Sequence, residues 1–409
     1  MRKLLFLACC GVVFAAAGCG GGGGGTASTA SSASTTGGSA IAAAAANVQP
    51  VSVEPGPVNA VNLVYTSVTV CEPGNDTNCQ TIDHVVVDTA SAGLRLISSV
   101  LSPSLSLVQQ TDTAGNPVAE CAQFASGYSW GPVKIADVRI AGEQAASVPI
   151  QVIGDPAFSA IPFACSSTGP SHNTVPTLLA NGILGVGTFR EDCGAACAQS
   201  ASPGFYYACP STGCQAIALP LARQVHNPAA LFATDNNGVI LQLPAIPAAG
   251  ASTVAGALVF GIGTRANNAL GSATVFAVSP DSGTFTTVYQ GRVLNRSFVD
   301  SGSNGYFFPD SAIPRCPTNA SFYCPAATLN LSATIQGTNG AVTTIDFAVA
   351  NTNALLQDNP AASAFNNLAG PIAPDTAFDW GLPFFFGRNV FVAFVGANTP
   401  AGPGPYIAF

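Results

Sequence analysis

The sequence predicts an all-β fold built from two related halves, and three features support this prediction. Gly and Pro are plentiful, with 43 and 30 residues, while charged residues make up only 8% of the chain, against about 25% in ordinary soluble proteins. Short apolar stretches alternate with turn residues, as expected for many short strands. A motif of the form hydrophobic-Asp-[Thr/Ser]-[Ala/Gly]-Ser-x-Gly occurs twice, which indicates an internal repeat.

The chain length also favours two domains. A chain of 409 residues is long for a single hydrophobic core. We assign residues 1–19 to a lipoprotein-type signal segment and residues 20–48 to a flexible tether rich in Gly, Ser, Thr and Ala. Residues 49–250 then form an N-terminal β-lobe with the first Asp motif, and residues 251–409 form a C-terminal β-lobe with the second.

The N-terminus has the features of an export signal. Arg2 and Lys3 precede an apolar stretch from Leu4 to Ala17, which is too short for a comfortable membrane span. The stretch ends in Ala16-Ala-Gly-Cys19, which resembles a bacterial lipoprotein cleavage and lipidation site, and the glycine run from Gly20 to Gly25 suits a tether. We therefore expect Cys19 to carry a lipid that anchors the protein in the cell envelope, at the outer membrane. The alternative is an ordinary secretory signal and a secreted protein.

Ten of the 13 cysteines lie beyond the signal region, and an even number in an exported chain predicts a disulfide framework. Two pairs flank short loops: Cys71 with Cys79, and Cys316 with Cys324. Four cysteines cluster in one insertion: Cys193, Cys197, Cys209 and Cys214. The remaining two, Cys121 and Cys165, are left for each other. The cluster could hold zinc, but its spacing does not match the usual zinc arrangement. We therefore expect two disulfides there, with their connectivity open.

Charge excludes one class of function. The net charge is −8 and Lys occurs only at Lys3 and Lys134, so the chain offers no basic surface for nucleic acid. The run from Gly20 to Gly25 follows no predicted strand and precedes no Lys, so it is not a phosphate-binding loop. We expect no cofactor, no metal and no nucleic-acid partner, and we expect a monomer.

Periodicity places most segments in strands. Residues 61–70 and 81–87 read as one hairpin, and residues 121–142 as a second hairpin with its turn at Ser126-Gly127. The best helix candidate is Leu219 to Phe232, although Pro228 interrupts it.

The two copies of the motif each place a carboxylate at the end of an apolar run. Asp88 follows Val85 to Val87, and Asp300 ends the second copy. Burial of a carboxylate is costly unless something pairs with it. At similar distances after each Asp comes a hydrophobic-hydrophobic-Gly element, Ile183-Leu-Gly185 and Phe385-Phe-Gly387, whose Gly permits close approach of the backbone.

The hydroxyl residues of the motif have predicted supporting roles. Ser91 and Ser303 are placed to hydrogen-bond the carboxylates, and Thr89 and Ser301 to link the two turns. For either Asp alone, a turn carboxylate satisfied by backbone N–H groups is the simpler interpretation. The repetition of the whole turn favours a catalytic pair.

These motifs resemble the pepsin-like aspartic proteases from about residue 55 to the end, in a bacterial lipoprotein branch. The family carries Asp-Thr-Gly-Ser twice, and Asn181-Gly-Ile-Leu-Gly185 is similar to its Asp-Gly-Ile-Leu-Gly. The resemblance implies a bilobal fold with a central cleft that holds Asp88 and Asp300. It also implies a hairpin over the cleft, in which Phe124 stands where the family has Tyr and Tyr128 is a nearby substitute.

The resemblance implies an exported aspartic endopeptidase that hydrolyses peptide or protein substrates through the two Asp residues and an activated water. The alternative is a catalytically inactive lipoprotein of the same fold that binds a peptide or another ligand in the cleft. Ala90, which replaces the Gly of the first motif, and Phe124 support this alternative.

Overall fold

The computed structural model describes residues 45–202 and 204–409, and strands dominate it. The predicted all-β class is therefore confirmed. The strands up to residue 243 are β1 (Val48–Val53), β2 (Val64–Cys71), β3 (Cys79–Asp88), β4 (Ala92–Ile97), β5 (Val108–Gln109), β6 (Val118–Phe124), β7 (Gly127–Ile140), β8 (Glu143–Ile153), β9 (Gly182–Val186), β10 (Tyr206–Ala208), β11 (Gln215–Ala216) and β12 (Gly238–Leu243).

The later strands are β13 (Val254–Phe260), β14 (Val275–Ala277), β15 (Phe285–Tyr289), β16 (Arg292–Asp300), β17 (Tyr306–Phe307), β18 (Leu329–Gln336), β19 (Val342–Val349), β20 (Ala369–Gly370), β21 (Asp379–Gly381), β22 (Arg388–Ala393), β23 (Asn398–Thr399), β24 (Gly402–Pro403) and β25 (Tyr406–Ala408). The α-helices are short: α1 (Phe163–Ser166), α2 (Val175–Leu178), α3 (Ala195–Gln199) and α4 (Thr352–Asp358). The 3-10 turns are Gly56–Val58, Ser98–Val100, Pro156–Phe158, Leu221–Arg223, Pro228–Leu231, Ala266–Asn268 and Leu382–Phe385.

The strand patterns follow from which faces are buried. In β19, Ile345 and Phe347 are buried whereas Thr344 and Asp346 are exposed, so one face of this strand meets water. Every residue of β12 is buried, and its sequence is accordingly a nearly continuous apolar run.

Two large sheets organise the chain. The larger has the order β11-β10-β6-β7-β8-β4-β9-β3-β2-β1-β13-β12-β22-β25-β14, and the smaller has the order β19-β18-β15-β16-β21-β17-β20. Strand β1 pairs antiparallel with β13 along its whole length, from Val48 opposite Val259 to Val53 opposite Val254. The two predicted lobe segments are thus joined by continuous strand pairing, and β1 begins at the last residue of the predicted tether.

An aromatic cluster fills the core of the smaller sheet. Trp380 of β21 stacks on Phe378 at 4.2 Å between ring centroids and meets Phe347 edge-on at 5.8 Å. The indole N–H of Trp380 donates to the hydroxyl of Thr287, so the one polar atom of this ring is satisfied. This packing fixes the position of β21.

The predicted hairpins are confirmed as β2–β3 and β6–β7. The predicted helix from Leu219 to Phe232 is wrong, because two separate 3-10 turns occur there. Gln224 is extended between them, and its buried amide donates to the carbonyl groups of Gly194 and Leu219. The side chain of Asn227 then caps the second turn, which Pro228 opens.

All ten cysteines beyond the signal region form disulfides, as predicted. The bridges are Cys71–Cys79, Cys121–Cys165, Cys193–Cys197, Cys209–Cys214 and Cys316–Cys324. The four clustered cysteines therefore pair locally and are not zinc ligands.

The predicted signal segment, Cys19 and nearly all of the predicted tether lie outside the described residues. Within residues 45–202 and 204–409, no helix has the length and hydropathy needed to cross a membrane.

Candidate active site

The first Asp turn begins where β3 ends. Strand β3 runs parallel to β9, which places Asp88 opposite Gly185. Oδ1 of Asp88 accepts the backbone N–H of Ala90 at 2.8 Å, and Oδ2 accepts the hydroxyl of Ser91 at 2.5 Å. A β-carbon placed on Gly185 would lie 2.7 Å from the Ser91 hydroxyl oxygen, so only Gly leaves room for the turn.

The second Asp turn repeats this arrangement at the end of β16. Strand β16 runs parallel to β21, which places Asp300 opposite Gly381. Oδ1 of Asp300 accepts the backbone N–H of Gly302 at 2.8 Å, and Oδ2 accepts the hydroxyl of Ser303 at 2.8 Å. Ala90 therefore supports the same contact in the first turn that Gly302 supports in the second.

The hydroxyl residues that follow each Asp tie the two turns together. The hydroxyl oxygen of Thr89 accepts the backbone N–H of Ser301 at 3.0 Å, and that of Ser301 accepts the backbone N–H of Thr89 at 3.2 Å. Each hydroxyl then donates to a strand of the other turn, Thr89 to the carbonyl of Val299 and Ser301 to the carbonyl of Val87. The predicted supporting residues Thr89, Ser91, Ser301 and Ser303 all lie in this constellation.

The two carboxyl groups face each other. A β-carbon placed on Gly302 would lie 3.0 Å from Cγ of Asp88 and 3.1 Å from Oδ1 of Asp300. Burial, and next the charge of Asp88, raise the pKa of Asp300 well above its usual value. Since neighbouring like charges resist joint ionisation, this raised pKa favours a pair that holds one proton.

The strand beside Asp300 is not the predicted one. Phe385-Phe-Gly387 was the expected counterpart of Ile183-Leu-Gly185, but β21 pairs with β16 and places Asp379-Trp-Gly381 there instead. Phe386 makes an isolated bridge with Leu243, away from β16. The sequence favoured Phe385-Phe-Gly387 because it has two apolar residues before a Gly at the expected spacing. Asp379-Trp-Gly381 does not fit that pattern, because Asp379 is not apolar.

Asp379 is a third buried carboxyl near the pair. It is 0% exposed, and neither of its oxygens has a hydrogen-bond partner among the described residues. The hydroxyl of Ser303 lies near Asp379 but donates its hydrogen to Asp300. Ser303 therefore lowers the pKa of Asp379 by less than burial raises it. Burial, and next the interaction with Asp300, raise the pKa of Asp379 well above its usual value, which favours the protonated form of this carboxyl.

A pocket adjoins the first Asp turn, and the hairpin β6–β7 forms one of its walls. Ala90, Ser91 and Phe124 line it. Tyr128 is buried on the other side of the hairpin, packed with Trp130 and the Cys121–Cys165 disulfide. Of the two candidate hairpin residues, the structure therefore brings Phe124 to the site and not Tyr128.

A buried ion cluster that the sequence did not predict lies at the base of this pocket. Arg95 donates to Glu120 at 2.7 Å and to Asp192 at 3.0 Å, and all three side chains are almost fully buried. Tyr206 donates its hydroxyl to Asp192. Burial, and next the charge of Glu120, raise the pKa of Asp192 well above its usual value. The only signal in the sequence was an Arg inside the apolar run Leu94-Arg95-Leu96.

The family model described as "Protein of unknown function (DUF3443)" matches residues 43–409. This region includes both Asp turns, the hairpin β6–β7 and every strand described above. No curated protein matches the chain.

Proposed function

The chain belongs to the DUF3443 family, and we propose that it is an aspartic endopeptidase of the pepsin-like type. The observation that carries the proposal is the pair of equivalent turns, in which the carboxyl groups of Asp88 and Asp300 both lie beside Gly302 while Thr89 and Ser301 bond reciprocally between the turns. Two carboxyl groups that share one proton are the arrangement that aspartic proteases use to activate water.

The proposal includes a bilobal pepsin-like fold. Its support is the repeated local topology, since each Asp ends a strand that runs parallel to a later strand and lies opposite a Gly of that strand. The hairpin β6–β7, which brings Phe124 beside the Asp88 turn, supports a cleft that closes over the pair.

We propose that one carboxyl of the pair carries the shared proton and that the other is the base. We give the proton to Asp300, because burial raises its pKa, and the role of base to Asp88. Asp88 takes a proton from a water molecule while the water oxygen attacks the peptide carbonyl carbon. At the same time, Asp300 donates its proton to the carbonyl oxygen. Asp88 then delivers its proton to the leaving nitrogen as the C–N bond breaks, and a hydroxyl of the intermediate returns a proton to Asp300.

Ser91 and Ser303 hold the two carboxyl groups in the orientation that these transfers need. The reciprocal bonds of Thr89 and Ser301 set the separation of the two turns. The protein residues themselves thus supply the proton transfers of the proposed reaction.

We further propose that the substrate is a peptide or protein in the cell envelope, where a lipid on Cys19 anchors a monomeric protein. The support is the sequence of the N-terminal segment and the five disulfides, which suit an oxidising compartment.

The test is cleavage of a broad peptide library by the purified, disulfide-intact protein from about pH 3 to pH 8, a range around the ordinary carboxyl pKa. We expect acid-shifted cleavage that a statine-type inhibitor blocks, because its hydroxyl takes the place of the attacking water. Binding of peptides or of the inhibitor without any cleavage supports the catalytically inactive alternative. If the protein neither cleaves the peptides nor binds them or the inhibitor, both functions are overturned.

A further inference from the structure

The pocket beside the first Asp turn has walls that the rest of the molecule fixes in place. Its floor is formed by Arg95 and Asp192, and aromatic rings enclose it at Phe124, Phe189 and Phe205. If the proposed function holds, a substrate lying across Asp88 and Asp300 would pass beside this pocket, because Ala90 and Ser91 of the first Asp turn line it.

Phe189 is confined by the second half of the chain. A β-carbon placed on Gly283 would lie 3.3 Å from Cε2 of Phe189 and 3.0 Å from the hydroxyl of Thr188. Gly283 has φ +69°, a conformation that favours Gly, and the absence of a side chain there leaves room for the ring of Phe189.

The other two rings are held as well. The backbone carbonyl of Phe205 accepts the N–H of Cys121 at 2.6 Å, which ties this wall to β6. The ring of Phe124 lies under the guanidinium of Arg95 at 5.9 Å and meets the ring of His172 edge-on at 6.4 Å. His172 in turn hydrogen-bonds Ser126 at the hairpin tip.

The floor of the pocket is polar but offers no free charge. Arg95 donates to the carbonyl of Ala92, to Glu120 and to Asp192. The two carboxyl groups that contact the guanidinium, those of Glu120 and Asp192, are buried with it, so the cluster leaves no unpaired ionic group for a ligand. A charged substrate side chain would enter a buried site without a counter-ion, which is unfavourable.

The space within the pocket is small. The cavity volume is about 20 Å³, which is room for about one water molecule. A larger side chain would have to displace the surrounding rings, and overpacking of this kind is destabilising.

We propose that this pocket is a side-chain subsite that restricts the protease to peptides with a short, uncharged residue, such as alanine, serine or cysteine, at one position flanking the cleaved bond. Phe189 is the residue that sets the limit on size, because its ring faces the pocket on one side and Gly283 on the other.

The experiment compares cleavage products of a mixed peptide library for the wild type, Phe189→Ala, Phe189→Leu and the control Phe163→Ala. Phe163 is 83% exposed and is not a lining residue, so its variant matches the chemical change without altering the pocket. Each extra methylene that a fixed pocket must accept changes kcat/KM by about 10- to 200-fold.

We expect the wild type and Phe163→Ala to cleave peptides with short, uncharged residues at one flanking position at least about tenfold better than peptides with leucine or phenylalanine there. Phe189→Ala should abolish this preference at that same position, and Phe189→Leu should weaken it. Cleavage by the wild type next to large apolar or charged residues overturns the subsite but not the protease. The subsite is also overturned, and the protease is not, if Phe189→Ala and Phe163→Ala show identical preferences among the cleaved peptides. The subsite rests on the proposed function, so if no variant cleaves any peptide, both the subsite and the endopeptidase function are overturned.

Discussion

Thr89 and Ser301 exchange hydrogen bonds across the molecule, each accepting the backbone N–H of the other. The two residues are separated by 212 positions in sequence, and they are 4% and 0% exposed. Because buried backbone groups must find partners, these bonds hold the two Asp turns at a fixed separation.

The first prediction concerns this link. Thr89→Val keeps the shape of the side chain but leaves the N–H of Ser301 without its acceptor, and we expect it to lower the free energy of unfolding by about 1–3 kcal/mol. Urea denaturation measures this loss. The control is Thr344→Val, which removes an exposed hydroxyl of β19 that bonds Thr334. Equal losses in the two variants would show that the link contributes nothing specific.

The second prediction concerns Asp379. Because its pKa is raised in the folded state, the folded protein binds more protons than the unfolded chain once the pH exceeds about 4. The contribution of Asp379 to the free energy of unfolding therefore falls as the pH rises. The full loss is about 1.4 kcal/mol for each unit by which folding raises its pKa. The neighbouring carboxyl groups of Asp300 and Asp88 are the acidic groups that oppose its ionisation.

We expect Asp379→Asn to lose less stability than the wild type between about pH 4 and pH 8, as measured by thermal unfolding across that range. Asp346→Asn is the matched control, since Asp346 is exposed on β19. Parallel curves for the wild type and Asp379→Asn would mean that Asp379 ionises normally.

The third prediction concerns Arg95. Arg95→Met leaves Glu120 and Asp192 buried without their cation, and we expect it to lower the free energy of unfolding by about 3–5 kcal/mol. Arg292→Met breaks the exposed pair with Asp375 and should cost less than about 1 kcal/mol. Chemical denaturation distinguishes the two, and a small loss for Arg95→Met would show that the cluster is weakly coupled to folding.

The fourth prediction concerns the membrane anchor. If Cys19 carries the lipid, Cys19→Ser should move the protein from membrane fractions to soluble ones and remove its fatty-acid label. A Cys19→Ser variant that keeps both the label and the membrane association would contradict this.

The sequence predicted the site where local chemistry was explicit. The turns at Asp88 and Asp300 could be identified because each motif carries its own hydroxyl and small residues. The bridges Cys71–Cys79 and Cys316–Cys324 could be identified because each closes a short loop. These features depend on neighbours in sequence.

The features that could not be predicted depend on distant strand pairing. Asp379 lies beside Phe298 through parallel pairing that no local signal specifies, and its charge argued against a buried strand. Similarly, the register of the hairpin β6–β7 decides that Phe124 lines the pocket while Tyr128 packs against Trp130. A pattern of residue types in one strand does not reveal its partner.

The central claim is that Asp88 and Asp300 act as one catalytic unit, and the most direct test is kcat/KM for Asp88→Asn, Asp300→Asn and the double variant on one cleaved peptide. Residues that act as a unit lose nearly all activity at the first deletion. We predict that each single variant loses at least about a thousandfold and that the double variant loses no more, while the fold and the disulfides remain intact. A single variant that retains a tenth or more of the wild-type kcat/KM, or two losses that multiply in the double variant, would contradict the account.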